Sequence, residues 1–63
     1  MIEGFGLFVR DSKGPLYKGC TKCLEEAERR AQELANLHGV ESFVFSFKEY
    51  SELASFSPEM PGN

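Results

Sequence analysis

The chain has 63 residues, a formal net charge of −3, 41% hydrophobic and 27% charged residues, no Trp, one His and two Cys. That length allows one layer-on-layer core near the lower limit for unaided folding, and it excludes a second domain, a repeat array and a large enclosed active site. Two cysteines are too few for a disulfide scaffold, so the core has to come from packing.

Residues 4–10, Gly-Phe-Gly-Leu-Phe-Val-Arg, alternate with period two. Phe5, Leu7 and Val9 fall on one side, and Gly6, Phe8 and Arg10 on the other, as in a strand with one buried face. Asp11-Ser12-Lys13-Gly14 carries the Asp-first, Gly-fourth pattern of a type I turn. A short second strand follows over 15–19, and the turn sets Arg10 opposite Pro15 and Phe8 opposite Tyr17. Pro15 gives no ladder hydrogen bond and so belongs on an edge strand.

A helix is expected over 22–38, where Leu24, Ala27, Ala31, Leu34 and Ala35 form a 3.6-residue stripe and glutamates cover the opposite side. Thr21 suits the N-cap, and Gly39 the left-handed position that ends the helix. Residues 40–48 read as a third strand with Phe43, Phe45 and Phe47 on one face and Val44, Ser46 and Lys48 on the other. Residues 49–56 are expected to form one or two helical turns, with Ser51 as N-cap. The domain is expected to span 1–56, with a flexible tail over 57–63.

The expected fold is therefore a single α+β domain, β-β-α-β, with a three-stranded antiparallel sheet of order 2-1-3 and the helix on the face of the three phenylalanines. One sheet face is left without a covering layer. The expected register puts Phe8, Arg10, Tyr17, Val44 and Lys48 on it as a candidate binding surface. If the third strand is outermost, its free edge offers a second one.

Cys20-Thr21-Lys22-Cys23, at a strand-to-helix junction, locally resembles the redox motif of thioredoxin-like proteins. The resemblance covers four residues and their flanks, and it implies an activated thiol at the helix start. The remaining chain departs from it, with too few strands and no strand to present a proline against the thiols. A metal shared between chains through Cys20 and Cys23 is the other chemical reading. Within one chain, His38 stands 15 helical residues past Cys23, roughly 22 Å away at about 1.5 Å per residue, too far to join the same ion. No phosphate-cradling loop or nucleophile scaffold is legible, so the expectation is a non-enzyme without cofactor.

Charge bears on partners. Residues 1–22 carry four basic against two acidic side chains, and residues 23–63 carry three against eight. This acidic balance argues against nucleic acid, which draws on many cationic contacts. Single-stranded RNA stacked on Phe8 and Tyr17 is kept as an alternative. The hairpin, glutamate-rich helix and final strand resemble, in layout, several tiny phage and bacterial proteins, some of which bind and inhibit a host enzyme. Gly19-Cys20-Thr21 followed by Leu24-Glu25-Glu26-Ala27 is similar to the strand-to-helix passage of antitoxins with a partial ribonuclease-H-like domain. Neither likeness assigns a family. No membrane span or secretory signal is legible, which points to the cytoplasm. The expected function is a small protein-binding module whose partner is another protein or a second copy of itself.

Overall fold

The computed structural model describes residues 4–59. The expected hairpin forms: β1 (Phe5–Asp11) and β2 (Gly14–Thr21) pair antiparallel with Arg10 opposite Pro15 and Phe8 opposite Tyr17. Gly14 enters β2 with φ of 121°, a conformation that a side chain would strain. Lys18 is the extra residue of a bulge, because Leu7 faces Gly19 while Phe8 faces Tyr17.

The helix α1 spans Leu24–His38. It starts two residues later than expected, with Cys23 rather than Thr21 at the N-cap. Thr21 instead accepts a hydrogen bond through Oγ1 from the Cys23 N–H at 3.3 Å. Gly39 ends the helix in the left-handed region, φ 68°, and its N–H donates to the Ala35 carbonyl.

Two expectations about the C-terminal half are overturned. Residues 51–56 are a strand, β4 (Ser51–Phe56), not helical turns. They return antiparallel along β3 (Ser42–Ser46) after a four-residue turn, so the sheet has four strands in the order β2-β1-β3-β4. The 2-1-3 order is retained within it. However, β3 is interior and has no free edge; the edges are β2 and β4.

The register of β3 is also one residue from expectation. Val44 is fully buried under the helix, whereas Phe43, Phe45 and Phe47 lie on the opposite face. The reason is volume. Ala27, Ala31 and Ala35 line the inner face of α1 and are completely buried. Such a stripe draws the helix close to the sheet, leaving room for Leu7, Val44, Ser42 and Ser46 but not for three phenylalanine rings. The two serines complete the fit. The Ser42 hydroxyl donates to the Ala31 carbonyl, and Ser46 Oγ accepts from the Glu49 N–H at 3.1 Å, so neither hydroxyl is buried without a partner. Phe5, Leu34 and Phe56 pack around this centre. Leu24, expected on the buried helix stripe, is left exposed at its margin, as is Leu16 of β2.

Of the segment expected as a tail, residues 57–59 run along the helix. The Ser57 carbonyl accepts from Gln32 Nε2 at 2.8 Å, and the Glu59 N–H donates to Asn36 Oδ1 at 2.7 Å. Residues 60–63 lie outside the described residues.

The close helix–sheet contact makes a testable contrast. Ala31→Leu forces methylenes into a filled site and should cost about 1–3 kcal/mol. Phe45→Ala, on the open face, should cost less than the roughly 3–5 kcal/mol typical of a buried phenylalanine. Urea unfolding of the two variants measures both; a larger loss for Phe45→Ala would place that ring under the helix after all.

Candidate functional site

The face away from α1 is built by strand alternation. Leu7 and Val9 point to the helix, which sends Gly6, Phe8 and Arg10 outward. Pairing then brings Tyr17 beside Phe8 from β2, and Phe43 beside Phe8 from β3. Phe8 and Phe43 stack at 5.2 Å with ring planes 6° apart, and Tyr17 meets Phe8 edge-on at 5.4 Å. Phe45 meets Phe8 at 6.2 Å, Phe47 at 5.9 Å and Tyr50 at 5.4 Å, all edge-on. Six aromatic rings thus form one continuous network on the sheet face away from the helix (Tyr17, Phe8, Phe43, Phe45, Phe47 and Tyr50), with Phe43 itself buried among its neighbours.

Gly6 makes this arrangement possible. A Cβ there would lie 2.6 Å from Phe47 Cζ and 2.9 Å from Phe8 Cε1, so the absent side chain is the space these rings fill. Between them runs an open groove of about 340 Å³, lined by Phe8, Pro15, Phe43, Phe45, Phe47 and Tyr50. At its rim Tyr17 is 56% and Tyr50 82% exposed. Tyr50 adopts φ of 58°, uncommon for a residue with a bulky side chain. An exposed ring is held in place there at a conformational cost.

One cation lies over this network. The Arg10 guanidinium sits 4.4 Å from the Phe43 ring centroid, in cation–π geometry. It is also bound at both ends: Nε to Glu41 Oε1 and Nη2 to Glu52 Oε1, each at 2.9 Å. Hydrogen bonding to Glu52 is the largest influence raising its pKa, opposed by desolvation, with both carboxylate charges and the Glu41 hydrogen bond adding to it. Arg10 is therefore paired with two carboxylates, and the cluster as a whole is acidic. The Tyr17 hydroxyl pKa is also raised, first by hydrogen bonding to the Cys20 side chain and then by desolvation and the Cys20 charge.

Of the expected surface residues, Phe8, Arg10 and Tyr17 come together on this face. Val44 does not; its position in the core follows from the alanine stripe. Lys48 does not either. It lies in the turn after β3 and borders a cleft on the helix side with Phe5, Lys22, Leu24 and Leu53. Phe43, Phe45, Phe47 and Tyr50 are the members that sequence reasoning missed. The signal for the phenylalanines was the run of buried alanines in the helix stripe, Ala27, Ala31 and Ala35, too shallow to receive them. Cys20 lies in β2 opposite Gly6 and Cys23 caps the helix; both are exposed free thiols. Among the described residues no cluster of three or more His, Cys, Asp or Glu is placed to hold a metal ion, and no helix is long and apolar enough to cross a membrane.

No protein-family model, curated protein or solved structure matches the chain.

Gly6→Ala tests the construction of this face. The new methyl should push out the Phe47 ring, the side chain it would meet at 2.6 Å, without unfolding the sheet. Ring-proton chemical shifts of Phe47 and Phe8 should move while the Ala31 and Val44 methyl shifts stay in place; unchanged Phe47 shifts would contradict the packing described.

Proposed function

We propose that the protein is a small non-enzymatic binding module and that the open aromatic face is where it meets a protein partner. The observation that carries this reading is the contrast between the two kinds of free surface on the sheet. Both edge strands are guarded. β2 carries Pro15, which has no N–H to offer an added strand, and a bulge at Lys18; β4 is bulged at Leu53. The face carries six contiguous rings, of which Tyr17 and Tyr50 are exposed, Phe8, Phe45 and Phe47 half-buried, and Phe43 buried among its neighbours. Soluble proteins usually bury such a layer against another element, and exposed contiguous apolar patches mark interaction sites. Tyrosine, with its rigid ring and polar tip, is enriched where proteins dock.

Charge favours protein over nucleic acid on this surface. The cation lying over the rings, Arg10, is occupied by two glutamates, so it is not free to meet phosphate, and the corner as a whole is acidic. The thiol pair Cys20 and Cys23 supports the redox alternative only through its position at the start of a helix.

Site-specific photo-cross-linking in the source cell tests the reading. A benzophenone amino acid is placed at Tyr50 on the face, or at Leu37 on the helix, which is 76% exposed. Captured peptides identified by mass spectrometry should come from Tyr50 and not from Leu37. Capture from the helix position alone would refute the assignment of the face. Salt-sensitive capture of single-stranded RNA at Tyr50 would move the function to the nucleic-acid alternative.

A further inference from the structure

We infer that the cleft between the start of α1 and the β3–β4 turn is a second binding site, and that it takes a small amphiphilic carboxylate, one anionic head on an apolar chain. The site is separate from the aromatic face and shares no lining residue with the groove there.

The apolar part of the site comes from two leucines that the core does not use. The cleft holds about 460 Å³, a volume suited to a small molecule, and Phe5, Leu24 and Leu53 form its apolar lining. Leu24 opens the helix stripe that continues in the fully buried Ala27 and Ala31, yet it is 41% exposed. Leu53 is the extra residue of the β4 bulge, since Val44 faces Ala54 while Phe45 faces Glu52. Bulges re-aim side chains, and this one leaves Leu53 lining the cleft, 40% exposed. The result is a concave apolar surface that can receive a short alkyl chain.

The polar part selects the head group. Lys22, between β2 and α1, and Lys48, in the turn after β3, both border the cleft. Among the described residues neither is in an ion pair; the pairs there join Arg10 to Glu41 and Glu52, and Arg30 to Glu26. Ser46 also lines the cleft and is only 3% exposed. Its Oγ accepts from the Glu49 N–H, and among the described residues its own O–H has no acceptor. A hydroxyl has a proton to give besides its lone pairs, so a buried donor is left over in the same cleft as two ammonium groups. An anionic oxygen is the acceptor that all three donors suit. Glu49 stands on the same rim and reduces the excess of the lining to one positive charge, which a single carboxylate neutralises. In a chain of net charge −3 this cleft is a locally cationic place.

Both parts have to be met by one molecule. A bare anion leaves Leu24 and Leu53 wet, and a neutral alkyl chain leaves the Ser46 proton and the two lysines unmatched. Octanoate joins the two in about ten heavy atoms, and at the binding energy per atom usual for small ligands it half-saturates near about 1 mM.

A chemical-shift titration of the full chain with octanoate at neutral pH tests the inference. Saturable shifts are expected at the amides of Phe5, Ser46, Lys48 and Leu53, half-complete near about 1 mM. Octanol, with the same chain and no charge, and acetate, with the charge and no chain, should each bind at least about tenfold more weakly. The double variant Lys22→Gln/Lys48→Gln changes only exposed side chains and should keep the fold while weakening octanoate at least about fivefold. Should that variant not fold, added salt on the wild type decides: it should weaken octanoate and leave octanol unchanged. The inference is overturned by the absence of saturable shifts up to about ten times the expected half-saturation. It is equally overturned if octanol binds as tightly as octanoate, if the folded double variant keeps its affinity, or if salt has no effect on octanoate. Shifts confined to Phe8, Phe45 and Tyr50 would also overturn it, by moving the ligand to the aromatic face.

Discussion

Ala27, Ala31 and Ala35 bring the helix so close to the sheet that the side chains at the centre of the layer have to be small or medium in size, with Phe5, Leu34 and Phe56 around its margins. The rest of the molecule follows from this contact. Leu7, Val9 and Val44 fill the space, and Ser42 and Ser46 occupy positions where a larger residue would hold the helix off. The Ser42 hydroxyl ties the sheet to the helix backbone through the Ala31 carbonyl. Strand alternation then leaves no choice for Phe43, Phe45 and Phe47. They go to the far side, where Phe8, Tyr17 and Tyr50 join them, while Phe5 and Phe56 pack at the margins of the helix-side core.

This division puts the aliphatic core on one side of the sheet and the aromatic network on the other. The thin alanine-and-valine core holds the fold together, while the phenylalanines pack with one another over Gly6 and stay available. Arg10 and its two glutamates form an acidic ion-pair cluster at one corner of the aromatic face. Tyr50 stands at the rim of this face, exposed and at positive φ.

How much of this could be read from the residues alone depends on which forces are local. The β1–β2 hairpin was legible because Asp11 and Gly14 set the turn and the turn sets the register. The helix was legible from its stripe and from Gly39. The fourth strand was not: Ser51, Glu52, Leu53 and Ala54 read locally as a capped helix, and the bulge at Leu53 breaks the alternation that would have betrayed a strand. Tertiary pairing with β3 overrode that propensity. The register of β3 was illegible to hydrophobicity, since three phenylalanines outrank valine and two serines as core material. Volume decided it, and the helix carried that information in its alanines. Phe8, Arg10 and Tyr17 were therefore found as surface residues, whereas Phe43, Phe45, Phe47 and Tyr50 were not.

The central claim is that a small-residue helix face selects Val44 over its phenylalanine neighbours. Nuclear Overhauser contacts in the folded wild-type protein test it most directly. The account predicts strong contacts from the Ala31 methyl to the Val44 methyls, and from the Phe43 ring to the Phe8 ring. Contacts from the Ala31 methyl to the Phe43 or Phe45 ring, with Val44 free of the helix, would contradict it.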